Sequence, residues 1–428
     1  MSDSKFIRNV LILITGALLS QGIRLALAPF ITRLYGAEAF GQLGAFVALT
    51  SIITSISAMS FPLAIVLPEE DSEARYLALL SILVSIAIVS VLTILIATSG
   101  DLIIAYFDLY TIAEFVWLIP VVTFIETIRQ VLLQWLIRKK EFKKTARVSA
   151  IQALWLGFSK IGIGSYFPSG LTLVFMNALG SIVYVVLLAF SGWQSLNVRW
   201  ITIPKRLIFA NLKKLALKYY DFPLYRSPQI FINAISQGLP VLMLTAFYGS
   251  ASAGFYSLCL TVMMIPISFI SNSMGNVFYP RIAEASHKNE NLKMLIVKAT
   301  ALLFVIGVLP FLVVVVYGPW LFAVVFGSEW IIAGEYARWI AILSFFQFIN
   351  RPAITSIPVL KIQKELLMFE IISSFLKISA LYVGFKYFKN DIDSIMLFSV
   401  VGSFTYIYLI TWVIRKSSRK LVNLEKTE

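Results

Sequence analysis

Twelve long apolar runs dominate this chain of 428 residues. A helix of about 20 apolar residues can cross the hydrocarbon core of a bilayer, so every run is long enough to span a membrane. The runs are residues 8–31, 40–66, 76–98, 112–137, 148–167, 170–191, 222–248, 252–279, 294–317, 332–357, 366–386 and 393–414. We therefore predict an all-α polytopic membrane protein with about twelve transmembrane helices.

The composition agrees with a membrane protein and excludes several kinds of site. Hydrophobic residues make up 59% of the chain and charged residues only 14%, compared with roughly 25% charged residues in soluble domains. Cys259 is the single cysteine, which excludes an internal disulfide, and His287, the single histidine, falls in a basic loop. We predict no metal site, no cofactor and no catalytic residues, because metalloprotease and phosphate-loop motifs are also missing.

The charge distribution predicts the orientation of the chain in the membrane. The net charge is +14, and 26 of the 36 Lys and Arg residues fall in segments on the side of the N-terminus. Segments on the opposite side carry three, Arg33, Lys386 and Lys389. The positive-inside rule places the basic side in the cytoplasm, so we expect both termini there. This asymmetry explains the surplus charge without nucleic acid, and some of it is expected to contact membrane lipids.

A repeated pattern suggests that the chain contains two related halves. Tyr35-Gly36 and Tyr248-Gly249 are each followed by a glycine after four residues, at an offset of 213. A weaker similarity joins 101–107 to 320–326, at an offset of 219. An internal duplication would explain both, although Tyr-Gly turns also occur between unrelated membrane helices. The predicted organisation is a six-helix lobe at 1–191, a basic linker at 192–221, a second six-helix lobe at 222–414 and a tail at 415–428.

Two of the spans carry polar residues along one helical face. The period of three to four residues places them on one side of each helix, and unpaired polar groups are costly in hydrocarbon. The stripe in 222–248 consists of Arg226, Gln229, Asn233, Gln237 and Pro240, and that in 252–279 of Ser257, Thr261, Met264, Ser268, Asn272 and Gly275. We expect both stripes to face other helices or water.

Cations within the spans are the candidate functional residues. Each costs roughly 2.5–3.5 kcal/mol at the centre of a membrane helix, and Glu126 and Asp221 are the opposing acids that the sequence offers. One interpretation is a cationic, water-filled cavity for an anionic substrate, because guanidinium binds phosphate through two hydrogen bonds. The alternative is that each cation fastens helices by binding backbone carbonyls. The candidate substrate-binding cations are Arg24, Lys160, Arg226, Arg351 and Lys377, and the candidate polar residues are Gln21, Asn233, Gln237 and Asn272.

Two acidic features have a simpler explanation than chemistry. Glu126 lies three residues before Arg129, so we expect a self-neutralising pair, with transfer of a coupling proton by Glu126 as the alternative. The cluster 69–71 falls in a short turn, where solvated carboxylates are expected, although a metal ion could also bind there.

Four segments of the chain have a recognisable sequence: LYGAEAFGQLGAFVALTSIITSISAMSFPLAIVLPEEDSEA, QGLPVLMLTAFYGSASAGFYSL, VFYPRIAE and LFAVVFGSEWIIAGEYARW. These segments resemble Wzx-type O-antigen and polysaccharide repeat-unit flippases. Such flippases belong to the superfamily of multidrug, oligosaccharidyl-lipid and polysaccharide exporters. The resemblance implies two pseudo-symmetric six-helix lobes around a central cavity, with alternating access.

The resemblance also implies a function and a location. The substrate would be an undecaprenyl-diphosphate-linked oligosaccharide, moved across the bacterial inner membrane, and polysaccharide polymerase machinery would be a partner. Arg24 and Arg226 occupy positions suited to the anionic head group, and Asn233, Gln237 and Asn272 are expected to contact sugar. A drug exporter of the same superfamily and, further off, an O-antigen polymerase or ligase are the alternatives. An exporter of cationic drugs would need acidic residues in its cavity, whereas the cations are in excess here. A polymerase or ligase would need a large outer loop with reactive side chains, and the sequence predicts none.

Overall fold

The structure, a computed structural model, describes residues 3–106, 110–196, 205–288 and 290–425. Within these ranges the side chains of 3–15, 17, 18, 103, 106, 112, 193–196, 205–208, 272, 273, 276 and 419–425 are not described. The described residues form helices and no β-strand, which confirms the predicted all-α fold. The α-helices are α1 (Asp3–Ser57), α2 (Phe61–Ala64), α3 (Asp71–Tyr106), α4 (Leu118–Arg138), α5 (Phe142–Gly164), α6 (Gly170–Leu196), α7 (Lys205–Lys218), α8 (Ser227–Tyr248), α9 (Ser250–Ser273), α10 (Tyr279–His287), α11 (Leu292–Phe326), α12 (Ile331–Ile349), α13 (Arg351–Leu360), α14 (Gln363–Phe388) and α15 (Asp391–Glu425).

The twelve predicted spans fall on eleven helical segments. Nine segments of the described chain are long and apolar enough to cross a membrane. One of them, α1, contains two predicted spans, because the backbone at Gly36 leaves the helical conformation with φ 69° and ψ 175°. The remaining two segments are α4 and α5, which have 21 and 23 residues. Short 3₁₀ turns precede α4 and α12, and π turns flank α8 and α9 at 222–226 and 274–278.

The two Tyr-Gly turns have the same backbone conformation. Gly36 and Gly249 both lie in the left-handed region, with φ 69° and φ 89°. A residue with a side chain rarely adopts this conformation, so glycine is the residue that both turns require. The repeated sequence pattern therefore has a repeated local structure.

The helices that follow these turns cross closely. A Cβ added to Gly41 would lie 1.7 Å from the carbonyl oxygen of Ser250. The reciprocal distance, from a Cβ on Gly254 to the carbonyl oxygen of Ala37, is 1.9 Å. In the repeated pattern Gly41 corresponds to Gly254 and Ala37 to Ser250, so the crossing relates the two repeated segments symmetrically.

Three further helix pairs begin at one common offset in the sequence. The pairs are α3 and α11, α5 and α14, and α6 and α15. The predicted duplication stays a prediction, and these helix positions support it.

The chain divides into two compact units, Met1–Gly254 and Phe255–Glu428. The predicted lobes instead meet at the linker 192–221, and their boundaries stay a prediction. The difference arises because α8 packs along α1 in the first unit, where Gly238 lies against Ala48 and Ile52. In the second unit α10, α11, α13 and α15 pack together around one core, which includes Ile282, Ile296, Ile357 and Val413.

The acidic turn 69–71 is bound by basic residues at the end of α4. Arg138 donates from Nε to Asp71 at 3.1 Å and from Nη2 to the carbonyl oxygen of Glu69 at 2.9 Å, and Lys139 also binds Asp71. Lys218, at the end of α7, donates to Glu73 at 2.8 Å, and this hydrogen bond raises the pKa of Lys218. The carboxylate of Asp71 is thus bound by two basic side chains. In the described part of the chain no group of three metal-ligating side chains occurs.

Candidate functional site

A polar cluster lies on α1, α4, α5 and α6 in the first unit. We call it the N-terminal cluster, and it consists of Arg24, Glu126, Arg129, Ser149, Gln152, Lys160, Ser181 and Tyr184. Arg24 donates from Nη2 to Oε1 of Gln152 at 3.1 Å, which joins α1 to α5. Gln152 is buried, whereas Arg24 is exposed. This contact brings the first candidate cation beside a residue that the sequence analysis did not single out.

Lys160 is a buried cation of this cluster. The residue is 9% exposed, and its backbone carbonyl accepts a hydrogen bond from the hydroxyl of Tyr35 at 2.8 Å. Its ammonium group repels the guanidinium of Arg24, and the ion pairs of the described residues include neither cation. Two like charges near each other that form no ion pair favour an anion in the same place.

Glu126 and Arg129 form an ion pair on α4. Nε of Arg129 lies 2.5 Å from Oε2 of Glu126, and Oε1 of Glu126 accepts a hydrogen bond from Ser181 at 2.8 Å. The guanidinium of Arg129 also lies 5.6 Å from the centre of the Tyr184 ring, whose hydroxyl is 2.6 Å from Oγ of Ser149. Both carboxylate oxygens have partners, so this geometry suits the self-neutralising pair that was predicted.

The predicted polar stripe on α8 is largely exposed in the structure. Arg226 ends the π turn that precedes α8 and donates to Oε1 of Gln229 at 2.9 Å. Further along the helix, Gln237 donates to Oδ1 of Asn233 at 2.6 Å, and both side chains are exposed. Exposed amides and a guanidinium within a membrane-spanning segment require contact with water or with a polar ligand. The geometry therefore suits a wet surface along this face of α8.

A second polar cluster lies on α13, α14 and α15 in the second unit. We call it the C-terminal cluster, and it consists of Arg351, Glu370, Lys377 and Tyr406. The ammonium of Lys377 lies 5.8 Å from the centre of the Tyr406 ring, and Tyr406 interacts electrostatically with Arg351. Nε of Arg351 is buried and has no hydrogen-bond partner among the described residues. Lys377 and Glu370 attract each other electrostatically from two turns apart on α14.

A groove lies between α14 and α15, the two helices that carry Glu370, Lys377 and Tyr406. Its volume is about 640 Å³, and apolar side chains such as Met368, Ile372 and Phe404 dominate its lining. The rings of Phe369 and Tyr408 stack at one wall, 6.3 Å apart. Such a lining suits a hydrocarbon chain of a lipid better than a charged head group.

The remaining candidate residues have no described contact with either cluster. Gln21 is exposed on α1, one turn before Arg24, and makes no described contact with it. Asn272 lies on α9, and its side chain is outside those that the structure describes. Arg338, a further cation within the spans, pairs with Glu335 at 2.9 Å.

Six residues of the clusters were not predicted from the sequence: Ser149, Gln152, Ser181, Tyr184, Glu370 and Tyr406. Glu370 falls within the predicted span 366–386, yet it was not included among the opposing acids. A signal for the tyrosines was present, because Tyr184 follows Arg129 at the same spacing as Tyr406 follows Arg351. The spacing becomes meaningful only when helix packing shows that each tyrosine belongs to the cluster of its arginine.

The fold and the cations within its spans define a class of protein, a polytopic α-helical membrane protein with charged side chains inside its membrane-spanning segments. A solved structure titled "Lipid II flippase MurJ, inward closed conformation" is similar, with a TM-score of 0.72 at 13% identity over 98% of this chain and 93% of that one. An inward-facing multidrug resistance MATE transporter of the MOP superfamily gives a TM-score of 0.64 at 15% identity, over 97% and 96% of the two chains. These likenesses show the fold.

The family is shown by its own sequence profile. The profile described as "Polysaccharide biosynthesis protein" matches residues 30–335, and the chain belongs to this family. A curated relative, the succinoglycan biosynthesis transport protein ExoT of Rhizobium meliloti (strain 1021), is 24% identical over 204 residues. That match covers 43% of this chain and 39% of ExoT. The membership in the exporter superfamily that the sequence predicted is therefore confirmed.

Proposed function

We propose that this protein moves undecaprenyl-diphosphate-linked oligosaccharide repeat units across the bacterial inner membrane. Transport runs from the cytoplasmic to the periplasmic leaflet by alternating access, and both termini lie in the cytoplasm. The observation that carries the proposal is the pair of like charges on Arg24 and Lys160, which lie in the N-terminal cluster and form no ion pair with a described acid. A diphosphate is the anionic part of such a substrate, and it would relieve their repulsion.

The roles of the other candidate residues follow from the same charge. Arg226 adds a cation at the start of α8, where Asn233 and Gln237 offer amides to the hydroxyl groups of sugars. Gln152 holds the guanidinium of Arg24 toward α5, so it acts as a positioning residue. Cationic drugs would be repelled by these charges, and for that reason we prefer an anionic substrate to a drug.

The membrane potential could supply the driving force for this direction of transport. Moving one charge across the membrane is worth about 2.3 kcal/mol per 100 mV, and an anion leaves a negative cell interior downhill. A cationic cluster lowers the cost of carrying the diphosphate through the low-dielectric region. This transport therefore needs no nucleotide to be hydrolysed by the chain.

The proposal is tested by removing single cations in cells that depend on this protein for surface polysaccharide. Arg24→Ala and Arg226→Ala are each expected to abolish the polysaccharide, measured on gels, at protein levels close to those of the wild type on immunoblots. Arg338→Ala is the matched control, since it removes a cation that pairs with Glu335 outside the clusters. Normal polysaccharide in both Arg24→Ala and Arg226→Ala would reject the cationic mechanism.

A further inference from the structure

The arginines of the two clusters occupy repeat-related positions, and their acidic partners differ. The sequence offset from Arg129 to Arg351 equals the offset from Tyr184 to Tyr406. This offset is close to the one between the paired helices of the two halves. Arg129 has Glu126 three residues before it, and the two form an ion pair. The corresponding position before Arg351 is Phe348, which lies against a phenylalanine of α11 with ring centres 5.6 Å apart. The second arginine therefore lacks the local acid that neutralises the first.

The C-terminal cluster obtains its negative charge from another helix. Glu370 and Lys377 lie seven residues apart on α14 and therefore on the same face. Side chains of a helix lean toward its N-terminus, so Lys377 leans toward Glu370. No ion pair of the described residues includes Glu370, so it attracts Lys377 without forming a direct ion pair with it.

The backbone of α15 makes room for the second cation of this cluster. A Cβ added to Gly402 would lie 3.2 Å from Cδ of Lys377. The lysine stem therefore passes close to the backbone at Gly402 and places its ammonium over Tyr406, one turn further along α15. The charged and titratable groups that act on Glu370 are thus Lys377 on its own helix and the Tyr406 hydroxyl on α15, which in turn interacts with Arg351 on α13.

We propose that Arg351, Lys377 and Tyr406 form a second anion-binding site, in which the carboxylate of Glu370 is a replaceable counter-ion. The ligand is a phosphate or diphosphate group carried by a lipid, so the inference rests on the proposed function. When the anion binds Arg351 and Lys377, it replaces Glu370 as the counter-ion of Lys377, and when the anion leaves, Glu370 compensates Lys377 again. The carboxylate therefore opposes anion binding and promotes release. Glu126 cannot act in this way, since both of its oxygens are bound in the described structure.

The test measures binding of undecaprenyl diphosphate to the full-length protein in nanodiscs made of neutral lipid. Glu370→Gln is expected to bind at least about fivefold more tightly than the wild type, a typical size for coupling between two sites. Lys377→Gln is expected to bind more weakly. The gain caused by Glu370→Gln should shrink when Lys377→Gln is also present, because the carboxylate acts on that cation. Undecaprenol, which lacks the anionic group, should respond to none of these changes.

Matched controls separate this inference from the proposed function. Glu329→Gln removes an exposed carboxylate of the second unit, outside both the C-terminal cluster and the groove, and is expected to leave binding unchanged. Unchanged or weaker binding by Glu370→Gln, in protein with the melting temperature of the wild type, would overturn the replaceable counter-ion. If Arg24→Gln leaves binding and transport intact while Glu370→Gln tightens binding, the proposed role of the N-terminal cluster fails and the second site stands. Inorganic diphosphate, used as a competitor, shows whether the head group alone occupies the site.

Discussion

The surroundings of Arg129 and Arg351 show how one repeated arrangement can acquire two uses. Each arginine interacts with a tyrosine that follows it at the same spacing in the sequence. Glu126 neutralises Arg129 from one turn away, whereas Phe348 at the corresponding position leaves Nε of Arg351 without a partner among the described residues. An ion pair within one helix stabilises the local structure, whereas a cation without a neutralising acid favours the binding of an anionic ligand. The comparison favours a structural role for Arg129 and supports the proposed binding role of Arg351.

The two repeated segments are most alike where Gly41 and Gly254 each lie against the backbone of the other segment. Substitutions at these two glycines are expected to have the largest effect on stability. Gly41→Ala and Gly254→Ala each place a methyl group against a carbonyl oxygen of the facing backbone, at 1.7 and 1.9 Å. Backbone cannot rotate away as a side chain does, so we expect each variant to lose about 3 kcal/mol of stability or more. The fraction of monodisperse protein and the melting temperature in detergent measure this loss.

The control for this prediction is Gly162→Ala, because nothing lies within 4 Å of the added methyl group. Its melting temperature should equal or exceed that of the wild type, since alanine favours helix more than glycine does. The double variant Gly41→Ala/Gly254→Ala should cost less than the sum of the single losses, as both act on one crossing. A single variant that melts like the wild type would show that the two helices can separate at no cost.

The features that could be predicted from the sequence are those that a single helix displays. Long apolar runs predict the spans, and Tyr35-Gly36 and Tyr248-Gly249 predict turns that the structure places at left-handed glycines. The pair of Glu126 and Arg129 was also predictable, because residues three apart on a helix are neighbours. In each case the signal lies within a short stretch of chain, where spacing alone decides the contact.

Contacts that depend on the rotation of packed helices were beyond the sequence pattern. Arg24 meets Gln152 on α5, and Ser149 meets Tyr184 on a neighbouring helix. Glu370 was overlooked because no cation lies three or four residues from it, and its electrostatic partner is seven residues away. The boundary between the two compact units, which lies after Gly254, could not be predicted from the sequence either, because it follows from the packing of α8 against α1.

The next largest effect distinguishes a fixed acid from a replaceable one. Glu126→Gln removes the charge that compensates Arg129, and about a quarter of each side chain is exposed, so water lowers the cost. We expect a loss of about 1–2 kcal/mol in the free energy of unfolding. Glu370→Gln should cost much less, because no ion pair of its own is broken among the described residues. Thermal melting of the two purified variants makes the comparison, and an equal loss in both would remove the distinction.

Transport by Glu126→Gln also tests the alternative role of this residue. A carboxyl group that carries a coupling proton would make transport depend on pH, and the amide would remove that dependence. We expect the pH profile of the variant to match that of the wild type, measured in liposomes at matched protein content. A flattened profile would assign Glu126 to coupling and would contradict the structural role given to Arg129.

The smallest effect concerns the two tyrosines. Tyr184→Phe keeps the ring beside Arg129 and removes the 2.6 Å hydrogen bond to Ser149, so we expect a loss of about 1 kcal/mol in stability. Tyr406→Phe removes a hydroxyl for which the described residues show no hydrogen bond, so its melting temperature should stay close to that of the wild type. Its binding of undecaprenyl diphosphate should weaken instead, because the hydroxyl can donate to the anion.

A double-mutant cycle of Tyr184→Phe with Ser149→Ala isolates the hydrogen bond between the two hydroxyl groups. Equal stability losses for Tyr184→Phe and Tyr406→Phe would mean that the two clusters serve the same structural purpose.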